Sequence, residues 1–253
     1  MTSHSADLPR PDVAVVGLGR PFTWLAGGWR DLWRRPAASL FYGLAVALCG
    51  GAILLTTARL PYLFTAAVSG FLLVAPLLAT GLYDLSRGYE RGEPVSLGES
   101  MQAWRRNASP MLAFGMLALL AGTVWQVVSL ILVAVFYRGG AGEPLALILD
   151  ILRDPQYMLL FVTYVGSGGV LAGLMFAVSV VAMPMLLDRR CDLICAVLTS
   201  LAAVAENPLP LALWAALIMT LTAIGFATAL VGLVVVLPWL GHASWHAYRD
   251  LVP

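Results

Sequence analysis

Five stretches of the chain, at about 38–58, 61–82, 109–136, 157–187 and 208–247, pass without a single Asp, Glu, Lys or Arg. Each is long enough to cross a hydrocarbon core of ~30 Å, which takes roughly 20 apolar residues as a helix. None alternates with period 2, and unpaired backbone groups are too costly in lipid for anything but helices or closed barrels, so the pattern predicts helices. At ~1.5 Å per residue the last stretch would overshoot a bilayer as one helix. It is predicted to fold back in a tight hairpin near Gly225–Gly232, giving two spans where one would otherwise stand, and about six in all.

Between the spans lie shorter segments with apolar residues at helical spacing. Phe22, Leu25, Trp29, Leu32 and Trp33 recur along one stripe, with Arg30, Arg34 and Arg35 supplying a basic face. Ser96 and Glu99 form a capping-box pattern ahead of Met101 and Trp104. A patch at Glu143–Asp154 suggests a further small helix on the opposite side. These pieces suggest three units, each a short amphipathic helix followed by two spans. The units open at WRDLWRRPAASLFYG, AWRRNASPMLAFG and VAENPLPLALWA, and close with Pro76, Pro184 and Pro238 in matching places. The expected fold is an all-α polytopic membrane helix bundle: a flexible cytoplasmic tail over 1–20, which does not resemble a cleavable signal, and a single transmembrane domain over 21–253.

Composition agrees, with 60% hydrophobic and 11% charged residues and a mean hydropathy of +0.85. The net charge of +1 speaks against a nucleic-acid partner. Every basic residue is arginine, and their distribution sets the orientation. Segments around Arg10–Arg35, Arg87–Arg106, Arg189–Arg190 and Arg249 share one side, read as the cytoplasm, whereas Arg59, Arg138 and Arg153 fall on the other. Both termini are then cytoplasmic, in an inner (plasma) membrane. Trp24, Trp29, Trp33, Trp104 and Trp245 are expected to form an aromatic belt at the headgroups on that side. Trp29, Trp33, Arg34, Arg35, Trp104, Arg105, Arg106, Arg189 and Arg190 are the candidate contacts for anionic phospholipid or for another membrane protein complex.

Candidate chemistry is sparse. His242 and His246 stand four apart on one helical face with Trp239 and Arg249, an arrangement that suits a metal or haem ligand pair and equally an interfacial anchor. Cys191 and Cys195, with Asp188 or Asp192, offer only two thiolates, short of a closed metal site, and are read as reduced, partly buried thiols. Gly169 and Gly173 are expected to let helices approach closely, and Gln126 to hydrogen-bond between helices. Asp84, Glu90, Glu93 and Glu99 lie near the inner surface without a nucleophile and are read as a solvated loop. Asn107-Ala108-Ser109 matches a glycosylation acceptor by chance, on the wrong side.

At WRDLWRRPAASLFYG, LLVAPLLATGLYDLSRGYERGEPVSL and GHASWHAYRDLV the chain resembles a bacterial family of predicted integral membrane proteins of unknown function, from about Phe22 to Leu251. Some members carry a cytochrome c oxidase subunit label, which the resemblance implies here only as a label; a haem-copper catalytic subunit needs several histidines within its spans. The expected role is non-catalytic: structural, regulatory or assembly-related. The alternatives are an accessory oxidase subunit with haem or copper, a passive transporter or lipid-handling protein, and an enzyme acting on lipid.

Overall fold

The computed structural model describes residues 11–59, 64–93, 95–138, 151 and 153–253, and every regular element among them is helical. The helices are α1 (Arg20–Arg34), α2 (Pro36–Arg59), α3 (Phe64–Arg91), α4 (Leu97–Ser100), α5 (Ala108–Phe136), α6 (Met158–Ser179), α7 (Ala182–Asp188), α8 (Leu193–Glu206), α9 (Pro208–Ala227) and α10 (Leu233–Leu251). Residues 1–10 of the expected tail, and most of the expected outer helix at Glu143–Asp154, lie outside the described residues.

Four described segments are long and apolar enough to cross a membrane: Pro36–Thr56, Leu97–Phe136, Pro155–Asp188 and Pro208–Ala227. Their apolar side chains stay largely outward, as Leu120, Leu130, Val162 and Met219 show. This is what a bundle solvated by lipid looks like, because there is no water to drive those groups inward. The last apolar stretch does fold back. Residues 228–232 form a turn in which Ala229 and Leu230 take positive φ of 53° and 71°. Thr228 stitches it by accepting from the Gly232 N–H at 2.8 Å and donating to the Gly225 carbonyl at 2.8 Å.

Helix junctions follow one plan. Pro36, Pro208 and Pro210 open long helices, where a missing N–H costs nothing. One residue with non-helical φ and ψ stands where each short helix or turn gives way to the long helix after it: Arg35 at φ −142°, ψ 74°, Asn107, the last residue of the 3-10 turn Ala103–Asn107, at −145°, 57°, and Asn207 at −128°, 52°. Arg35 reaches the Val95 carbonyl at 3.2 Å, just ahead of α4. Asn107 donates to Leu186 O and Cys191 O at 3.1 and 3.0 Å, just ahead of α8. Asn207 accepts from Val16 N at 2.7 Å and donates to Ala14 O at 3.0 Å, just ahead of α1. Each junction thus holds the strand of chain that enters the next short helix, and the third returns to the beginning.

Packing follows the same cycle. α1 lies along α10, α4 and the 3-10 turn Ala103–Asn107 lie against α3, and α8 lies against α6 and α7. The closing helices α3, α7 and α10 meet one another at the centre. α2 packs on α10 and α5 on α3, whereas α9 leans mainly on α10 and α1.

Small residues set how closely these helices cross. A Cβ on Gly43 would lie 2.0 Å from the Val234 carbonyl oxygen, and one on Gly28 2.5 Å from the Ala243 nitrogen. Gly169 and Gly173, expected to be the packing glycines, face open space; their neighbour Gly168 is the one that abuts Trp125. A break between α6 and α7 is made good by Ser200, which accepts from Val181 N at 3.2 Å and donates to Ala177 O at 2.7 Å.

Candidate functional site

The polar residues gather at one end of the bundle. There the carboxyl-terminal halves of α3, α7 and α10 meet α1 and the junctions before α2, α5 and α9. Cross-links such as Arg20–Asp250, Arg35–Val95 and Asn107–Leu186 join the arginine-bearing segments that the charge pattern groups on one side.

His242 is fully buried in this end. Its Nε2 lies 2.9 Å from Ser39 Oγ on α2 and its Nδ1 2.7 Å from Ser86 Oγ on α3. Ser86 donates its single proton to Asp31 Oδ2 at 2.8 Å. The hydroxyl must therefore accept from His242, which puts the ring proton on Nδ1 and leaves Nε2 to accept from Ser39. His246 Nε2 approaches the same Asp31 oxygen at 2.8 Å. A directed chain results, from Ser39 through His242 and Ser86 to Asp31, with His246 closing on it from the other side.

Asp31 is buried, with Arg34 3.6 Å away. Burial pushes its carboxyl up, but hydrogen bonds and charge from His246, and the bond from Ser86, more than offset this and hold it below the usual carboxylate value. Gly27 makes room for the arrangement, since a Cβ there would lie 2.8 Å from the His246 ring.

Beside this chain is a second network. Asp188 accepts from Arg87 at 3.0 Å, Arg91 at 3.2 Å and the Tyr248 hydroxyl at 3.0 Å, so one carboxylate ties the three closing helices together. Asp84, almost wholly buried, pairs with Arg106. Glu90 accepts from Trp245 Nε1 at 3.0 Å and Arg249 at 2.9 Å. Of the four residues read as a solvated loop, Asp84 is buried and Glu90 is held by α10, whereas Glu93 and Glu99 are exposed and the Ser96–Glu99 capping box is present as expected.

Both ring nitrogens of His242 are occupied by hydroxyls, His246 faces a carboxylate, and among the described residues no three His, Cys, Asp or Glu side chains are grouped to hold a metal ion. His242 is also no interfacial anchor, being enclosed by α2 and α3. Cys191 and Cys195 are free and half-buried.

The expected aromatic belt loses two members. Trp24 and Trp245 are buried core residues whose indole N–H groups reach Asp250 and Glu90. Trp29 and Trp33 remain exposed, edge to face at 5.6 Å, with Trp29 also against Trp239 at 5.0 Å. Trp104 is half-buried under the Arg105 guanidinium. Among the candidate arginines, Arg34 sits over the Tyr89 ring, Arg106 is drawn to Asp84, and Arg189 bonds the Tyr248 hydroxyl and the main-chain oxygens of Val252 and Pro253. Arg190 is exposed with no hydrogen bond or ion pair among the described residues.

Sequence reasoning missed Asp31, Ser39, Ser86 and Asp84 altogether as buried groups. The one available signal was Asp31 itself, an acidic residue inside the otherwise basic and aromatic α1, seven residues from Trp24 and so on its face.

Long apolar helices with lipid-facing side chains, closed at one end by internally paired polar groups, define a helical integral membrane protein. Residues 63–188, about half of the chain, match the family model described as predicted integral membrane protein (DUF2189), and the chain belongs to that family. No curated protein and no solved structure matches it.

Proposed function

We propose that the protein is a non-catalytic structural, regulatory or assembly component of the bacterial inner membrane, a single transmembrane domain of three repeated helix-span-span units with both termini in the cytoplasm. The observation that carries this reading is the two-sided use of α1. Its inner face, with Trp24, Leu25 and Leu32, is packed against the bundle. Its outer face leaves Phe22, Trp29 and Trp33 exposed beside Arg30, Arg34 and Arg35. Aromatic rings among arginines at the end of a lipid-facing bundle suit the headgroup layer, with anionic phospholipid as the contact.

The three matching junction residues, and their cyclic grip on the chain entering the next unit, support the repeat. The end-to-end grouping of arginines supports the cytoplasmic assignment through the inside preference for basic residues.

The test compares wild type with an Arg34→Gln/Arg35→Gln/Arg105→Gln variant in nanodiscs with and without phosphatidylglycerol. Each cation near an anionic surface contributes ~1 kcal/mol, so the variant should lose most of the stabilisation that the anionic lipid confers. Equal stabilisation of both proteins overturns the docking role. A carboxyl-terminal reporter should read as cytoplasmic, and a periplasmic signal would overturn the orientation.

A further inference from the structure

A cavity of about 280 Å³ opens where α3, the turn before α5 and the end of α7 converge, lined by Arg87, Arg106, Asn107, Asp188, Arg189 and Arg190. Its charges do not balance. Arg87 and Arg106 share Asp84, and Arg87 and Arg91 share Asp188. Asp188 is already filled, its second oxygen taking the Tyr248 hydroxyl. Arg189 spends its donors on a hydroxyl and main-chain oxygens, and Arg190 on nothing described. Asp84 and Asp188 thus pair with Arg87, Arg91, Arg106 and, at 3.9 Å, Arg249, while Arg189 and Arg190 pair with neither, leaving a basic excess around the recess. Two further carboxylates sit at helix caps, Asp192 accepting from the Cys195 N–H and Glu99 from the Ser96 N–H. Asn107 cannot change the balance, since its amide protons go to Leu186 O and Cys191 O.

Guanidinium groups offer paired N–H donors in a fork that matches the oxygens of a phosphate, and convergent arginines around a recess are the arrangement that phosphate recognition uses. We infer that this cavity binds a phosphate group. The inference rests on the anionic-lipid reading above and gives it a specific site, distinct from the outer face of α1. The phosphate belongs either to a phospholipid headgroup entering from the surface layer or to a free anion.

Native mass spectrometry of the full chain released from phosphatidylcholine nanodiscs containing phosphatidylglycerol, together with thermal unfolding in pure phosphatidylcholine nanodiscs titrated with inorganic phosphate, separates the two. Arg190→Gln is the informative variant because that side chain holds no other part of the fold, and its midpoint in phosphatidylcholine alone should equal that of wild type. If the source is lipid, wild type retains phosphatidylglycerol through release, Arg190→Gln retains it about tenfold less, and Arg34→Gln/Arg35→Gln retains it like wild type. If the source is free phosphate, the titration stabilises wild type saturably, and Arg190→Gln needs about tenfold more. Retention and titration that are the same in wild type and Arg190→Gln overturn the site. Should retention then fall only in Arg34→Gln/Arg35→Gln, surface docking by α1 stands without this cavity.

Discussion

Removing the Ser86 hydroxyl should cost more than removing that of Ser39, although both touch the same imidazole. Ser86→Ala deletes the donor to the Asp31 carboxylate at 2.8 Å and strips the His242 Nδ1–H of its acceptor at 2.7 Å. A hydrogen bond to a charged group contributes about 1.5–3 kcal/mol and an orphaned buried donor costs about 1–3 kcal/mol. Asp31 keeps His246 and Arg34, so the loss should fall near 3 kcal/mol rather than at the sum. Ser39→Ala leaves only the acceptor Nε2 of a neutral ring unpaired, at about 1–2 kcal/mol. For a chain of this size roughly 2–4 °C of melting temperature corresponds to each kcal/mol, which separates the two variants by several degrees in detergent-solubilised thermal unfolding. The hydroxyls act through one ring, so the double variant should depart from additivity by at least ~0.5 kcal/mol. A Ser86→Ala loss no greater than that of Ser39→Ala, or strict additivity, would refute the directed chain and the tautomer drawn from it.

Two further outcomes follow from the packing. Gly43→Ala puts a methyl group 2.0 Å from the Val234 carbonyl, so α2 and α10 must separate, and unfolding should show a loss of at least ~1–3 kcal/mol, whereas Gly173→Ala, facing open space, should be neutral or slightly stabilising. Burial pushes the Cys191 thiol up to about 11, so its maleimide labelling at pH 7.5 should be slow and should rise roughly tenfold per pH unit to pH 10; a rate already level by pH 9 would contradict the burial.

Much of the scaffold was legible because apolar runs and arginine positions report directly on lipid. The hairpin at 228–232, the Ser96–Glu99 cap and the grouping of arginines at one end all follow from local pattern. The site was less so. Stripe counting on α1 joins Leu25, Leu32, Trp29 and Trp33 into one apolar face, yet the helix is apolar on two sides, one turned to α10 and one outward. Trp24 and Trp245 carry the signature of headgroup residues, and only their distant partners Asp250 and Glu90 reveal them as core. Gly28 and Gly43 look no different from Gly169 in sequence, since what distinguishes them is the backbone of another helix. A buried carboxylate such as Asp31 or Asp84 is read as solvent-facing until its counter-charges, on other helices, are known.

The cycle of junctions closes between the two ends of the chain: Ala14 donates to Leu251 O at 2.9 Å, and Arg20 and Trp24 both reach Asp250. During synthesis, then, α1 emerges with its partner some 230 residues away. At ~5–20 residues per second the wait is on the order of 10–50 s. Through that interval the face of α1 that packs on α10 lacks its partner, and Asp31 has Ser86 of α3 but not His246. Insertion of the α9–α10 hairpin is therefore the event that gives α1 its main packing partner, some 230 residues after α1 itself was made.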